Sequence, residues 1–101
     1  MWNKVTSVKC PVEPASNKHI GGIIMICVGI DVAKDKHDCF ILSSEGEVLA
    51  DVFTIPNNAE GFDTLFQTIC RCARLADKIK VGLEATGHYS YNILGFLLNK
   101  G

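Results

Sequence analysis

Two acids in this chain close apolar runs. Asp31 ends Val28-Gly29-Ile30-Asp31 and leads into Val32-Ala33-Lys34. Glu84 ends Gly82-Leu83-Glu84 and leads into Ala85-Thr86-Gly87-His88-Tyr89. Each acid follows a glycine by two residues. Side chains of a strand alternate between faces, so Asp31 shares a face with Gly29 and Cys27, and Glu84 shares one with Gly82 and Lys80. The glycines leave space beside both carboxylates. If the two strands are neighbours, the acids face each other across a small hollow. Carboxylates that close repel one another unless a cation lies between them or one of them holds a proton. A divalent metal such as magnesium, held by a few carboxylates with water and substrate phosphate, resolves that conflict. The plainer reading is that Asp31 caps a turn and Glu84 precedes a helix N-terminus, where negative charge is welcome. The repetition of one pattern at both acids favours a site.

Lys34, Lys36 and His37 follow Asp31 at the mouth of this site. The lysines suit contact with phosphate or nucleic acid, and an exposed turn is the plainer alternative. His88 and Tyr89 follow Glu84 at a helix start. They are placed to touch substrate or to order the loop, with Tyr89 better suited to half-buried packing.

The elements that must position these residues read as β-β-β-α-β-α. Met25 to Asp31 is the first strand. Cys39 to Leu42 is the second, followed by a turn at Ser43-Ser44-Glu45-Gly46 in which Gly46 takes a left-handed conformation. Val48 to Thr54 is the third, ended by Pro56-Asn57-Asn58. Asn57 and Glu60 have the spacing of a capping pair. Phe62, Leu65, Phe66, Ile69, Cys72, Ala73 and Ala76 then recur on one face of a helix. Ile79 to Glu84 is the fourth strand. Thr86 suits the cap of a last helix from about His88 to Lys100, apolar on more than one side. This order makes the chain an α/β protein: an incomplete ribonuclease H-like fold with a mixed sheet.

Residues 1–24 differ from the rest. They mix Pro11, Pro14, Ser16 and Asn17 without a period. The expectation is a poorly ordered upstream extension, with Met25 as the natural start and residues 25–101 as the domain. The chain has 101 residues and a formal net charge of −1, so it has room for one small domain and lacks the strong positive field of a nucleic-acid arm. Five cysteines form no Cys-x-x-Cys pair. The expectation is reduced, buried thiols in a cytosolic protein, with no zinc site. No segment reaches the roughly 20 apolar residues of a membrane-spanning helix.

Residues 25–101 resemble the DEDD transposases of the insertion-sequence-110 type. The resemblance rests on Val28-Gly29-Ile30-Asp31-Val32-Ala33-Lys34 with His37, on Gly82-Leu83-Glu84-Ala85-Thr86-Gly87-His88-Tyr89, and on Ile55-Pro56-Asn57-Asn58 with Gly61-Phe62 between them. It implies a RuvC resolvase-like domain with four catalytic carboxylates, of which Asp31 matches the first and Glu84 the second. It implies a two-metal magnesium site, strand cleavage and transfer on DNA, a structured guide RNA, a homo-oligomer and a prokaryotic cytoplasmic setting. The family's two further aspartates and its serine-bearing domain fall beyond Gly101, so the expectation is an N-terminal portion whose site is incomplete and which is inactive alone.

Two other readings stand beside this one. Nucleotide-binding phosphotransferases of the actin and sugar-kinase kind also open with Gly-Ile-Asp-Val, but continue with a Gly/Ser/Thr-rich phosphate loop where this chain has Ala33-Lys34-Asp35-Lys36. A non-catalytic relic module would keep the fold without the chemistry.

Overall fold

A computed structural model describes residues 4–10, 25–73, 78–85 and 90–100. Its elements are β1 (Lys4–Val8), β2 (Met25–Val32), β3 (Lys36–Ser43), β4 (Val48–Pro56), α1 (Ala59–Cys72), β5 (Lys78–Ala85) and α2 (Tyr91–Leu98). The five strands form one mixed α/β sheet in the order β1-β5-β2-β3-β4. The strands β2, β3 and β4 run antiparallel in succession. The chain then passes through α1 and returns as β5, parallel to β2.

The apolar stripes decide which face is covered. On β2, Ile26, Val28, Ile30 and Val32 are buried while Cys27 and Asp31 are exposed. On β5, Ile79, Val81 and Leu83 are buried while Lys78, Lys80 and Glu84 are exposed. Helix α1 lays Phe62, Leu65, Phe66 and Ile69 on the same core, and α2 adds Ile93 and Leu97. Each such side chain contributes about 2 kcal/mol on burial. A one-residue slip of β2 would move four of them outward and Asp31 inward, so the register is strongly specified.

The β3–β4 turn forms as its sequence suggests. Gly46 has φ +93°, and Ser43 Oγ accepts the amides of Glu45 and Glu47 at 3.2 and 3.1 Å. Strand β4 runs on through Thr54 to Pro56, which is tolerated because β4 is a sheet edge. Register shifts between β3 and β4 interrupt the strict alternation of Val48 to Phe53.

Several expectations are corrected. Within residues 1–24, Lys4–Val8 are a strand of the sheet, antiparallel to β5. Residues 11–24 lie outside the described residues. Cys10 and Cys70 form a disulfide that ties the end of β1 to α1. Cys27 is exposed because it lies on the uncovered face; Cys39 is buried as expected. The cap of α1 is Asn58, whose side chain accepts from Gly61 N–H at 2.9 Å, and Asn57 turns elsewhere. Helix α2 spans Tyr91–Leu98 and so ends two residues before the expected Lys100. Ala76, Thr86, His88 and Tyr89 lie outside the described residues.

Helix α2 is held at the sheet edge by two kinds of contact. Phe96 packs against Phe62 and Phe66 with ring centroids 5.6 and 6.3 Å apart. Lys9 N–H donates to the Lys100 carbonyl at 2.8 Å. Tyr91 and Leu98 remain exposed. None of the described helices is long and apolar enough to cross a membrane.

Candidate metal centre

Parallel pairing of β2 with β5 sets Asp31 beside Glu84 and, below them, Gly29 beside Gly82. Adjacent strands lie about 4.8 Å apart, so the two carboxylates are neighbours at the C-terminal ends of two adjacent strands. Both are exposed on the face opposite the helices. Val5, Cys27, Phe40, Leu42 and Lys80 wall a shallow depression of about 370 Å³ over the Gly29–Gly82 pair. The depression, below the acids, is lined by neither carboxylate.

A third acid joins the row. Asp38 of β3 is the register partner of Asp31 and is also exposed. Its Oδ1 accepts from the Thr54 hydroxyl at 2.7 Å. Thr54, Asp38, Asp31 and Glu84 therefore succeed one another across β4, β3, β2 and β5. The sequence reading does not single out Asp38. The signal was available in the alternation of β3, but using it requires the register across the Ala33–Asp35 turn. Among the described residues, no three of the His, Cys, Asp and Glu side chains approach closely enough to hold a metal ion together. Asp38 is thus a flanking charge beside the Asp31–Glu84 register pair.

Lys34 and Lys36 are exposed, Lys34 in the turn and Lys36 at the start of β3 on the face of Asp38. Both keep the access that contact with phosphate requires. His37 does not. It pairs with Val32, faces the core and is 0% exposed, so the expected contact with nucleic acid through His37 is corrected. His37 instead stacks on Phe62, with centroids 6.2 Å apart and planes 4° from parallel. Its Nδ1 accepts Ala33 N–H at 3.3 Å. Burial lowers its pKa, opposed by the nearby Asn57 side chain and the Lys36 backbone. His88 lies outside the described residues.

The turn after Asp31 is braced rather than glycine-rich. Asn57 Nδ2 donates to the Lys34 carbonyl at 2.9 Å, and Asn57 N–H donates to the Asp35 carbonyl at 2.9 Å.

A family model described as a transposase, of the DEDD type found in insertion sequence 110, matches residues 28–101. The chain belongs to this transposase family. Search of curated proteins gave no match. The matched span of the transposase domain begins inside β2 and takes in Asp31, the braced turn, α1, β5 with Glu84, and α2. It leaves out β1, which nevertheless completes one edge of the sheet.

Proposed function

We infer that this chain is part of the catalytic domain of a DNA transposase, with a ribonuclease H-like fold, and that Asp31 and Glu84 hold a divalent metal, magnesium by preference, for phosphodiester cleavage and strand transfer. The observation that carries this reading is the parallel register of Asp31 with Glu84 on the uncovered face. Both are hard oxygen donors of like charge on adjacent strands, a pairing that suits a divalent cation. A bound divalent ion supplies charge neutralisation at the transferring phosphate.

The chain's own residues account for the remaining tasks. Asp31 and Glu84 provide the negative charge that retains the cation. Lys34 and Lys36 sit beside them and neutralise the nucleic-acid backbone without reading sequence. Two carboxylates alone bind magnesium weakly, since affinity follows ligand number and charge. On this reading, a guide RNA and an oligomeric partner join the chain in acting on DNA. The phosphotransferase alternative loses support at the turn: it is closed by side chains of His37 and Asn57, and has no glycine-rich phosphate loop.

The test is recombination by the complete transposase carrying Asp31→Asn or Glu84→Gln. Loss of DNA strand cleavage with normal protein levels supports the assignment. Recombination near the parent level in either variant contradicts it.

A further inference from the structure

Behind Asp31, two buried polar atoms have no hydrogen-bond partner among the described residues: His37 Nε2 and Asn57 Oδ1. They belong to side chains that already hold the same turn from two sides. His37 Nδ1 accepts the Ala33 amide, so Nδ1 carries no proton and the neutral imidazole bears its proton on Nε2. Asn57 directs its Nδ2 donor to the Lys34 carbonyl, which leaves Oδ1 as the free acceptor. A donor and an acceptor, both buried and both unpaired, are thus on neighbouring side chains. The Asn57 side chain lies near enough to the imidazole to favour its charged form. Leaving both unpaired costs more than closing the gap between them.

We propose that His37 and Asn57 are positioning residues for Asp31: Nε2–H of His37 donates to Oδ1 of Asn57, closing a relay from Ala33 N–H through both side chains to the Lys34 carbonyl. Every link then has one donor and one acceptor. The relay clamps the two residues that follow Val32, and so sets where β2 ends and where the Asp31 carboxylate and Lys34 ammonium stand. Phe62 fixes the imidazole plane from the core side. The Asn57 amide donating to Asp35 secures the far end of the turn. No covalent change and no titration is involved. The proposal rests on the reading of Asp31 and Glu84 as metal ligands, and extends it to residues that touch neither metal nor substrate.

The experiment is nuclear magnetic resonance on the chain, with two readouts. The first is hydrogen exchange at the Ala33 amide. The second is the manganese concentration that half-broadens the Asp31 amide signal. His37→Leu removes both ring nitrogens, Asn57→Leu removes the second side chain, and His37→Asn restores an acceptor where Nδ1 stands. Ala33 exchange is expected to rise about tenfold in His37→Leu, the equivalent of one lost hydrogen bond, and to return towards the parent in His37→Asn. The manganese midpoint is expected to rise several-fold in both leucine variants, read at a temperature where each is fully folded. Asn57 is only half-buried, so its variant keeps the test intact if His37→Leu does not fold. Parent-like exchange and parent-like midpoints in the folded leucine variants overturn the proposal. If Asp31→Asn leaves the parent midpoint unchanged, the metal reading itself has failed. The Ala33 exchange then decides the relay alone, and parent-like exchange overturns it.

Discussion

Asp31 and Glu84 are register partners on adjacent parallel strands, and Asp38 flanks Asp31 from the other side. Asp31 therefore stands between two acids on one exposed sheet face. Like charges directly opposite one another destabilise a sheet. In metal-free solution, Asp31→Asn is expected to raise stability by about 0.5 kcal/mol. Urea unfolding at low ionic strength reads the change, and added salt should shrink it, because exposed charges are screened. A loss of stability on neutralising Asp31 would mean that the row of acids is not repulsive.

The disulfide links residues 60 apart in the chain and ties the end of the edge strand β1 to helix α1. Closing so long a loop restricts the unfolded chain, which gives about 2–4 kcal/mol. Cys10→Ser, or reduction by a dithiol, is expected to lower the urea midpoint. It should also speed amide exchange on β1 first, since among the described residues β1 has a partner strand on one side only. Equal unfolding curves with and without reductant would contradict this.

The three free thiols differ in surroundings. Cys27 is exposed on the uncovered face, Cys72 is half-buried and Cys39 is buried. Burial, with the Asp38 charge adding to it, pushes the Cys39 thiol up to about 12 from an ordinary 9.0. A thiol reagent at pH 8 should modify Cys27 rapidly and Cys39 only on unfolding. The same shift makes stability pH-dependent. Above pH 9 the unfolded chain releases the Cys39 proton and the folded chain does not. Folding stability contributed by Cys39 is complete below that pH and is lost as pH rises towards 12, by up to about 1.4 kcal/mol per unit. Cys39→Ala should flatten this decline.

Gly61 sits in the first turn of α1 where the chain doubles back on Pro56. A Cβ there would collide with the Pro56 carbonyl oxygen and ring. Backbone cannot yield as a flexible side chain does, so Gly61→Ala is expected to cost about 1–3 kcal/mol despite alanine's better helix propensity. A thermal melt reads the loss. Gly95, with open space around its Cα, is the control, and Gly95→Ala should be neutral or stabilising.

The common face of Asp31, Gly29 and Cys27 was legible from the strand period alone, as was that of Glu84 with Gly82 and Lys80. The core stripe of α1 was legible for the same reason, because Phe62, Leu65, Phe66 and Ile69 recur with the helical period. What local pattern cannot supply is which distant strand lies alongside. Strand β1 is a short Lys-Val-Thr-Ser-Val segment whose partner β5 lies some 75 residues away, so nothing near it in sequence marks it as part of the sheet. Asp38 needed the register across a turn. His37 reads as a polar residue near an acid; its burial follows from a hydrogen bond to a backbone amide and a ring stacked on it from α1, neither of which a linear pattern displays. The cap of α1 fell one residue later than the Asn57–Glu60 spacing suggests, because Asn57 is engaged with the turn beyond Asp31.

The most direct measurement is paramagnetic line broadening by manganese across the amide spectrum of the chain, for the parent, Asp31→Asn and Glu84→Gln. The account predicts broadening centred on Asp31 and Glu84 at the shared ends of β2 and β5, and its loss in both variants. Broadening centred elsewhere, or unchanged by either substitution, would contradict the assignment of Asp31 and Glu84 as the metal-holding pair.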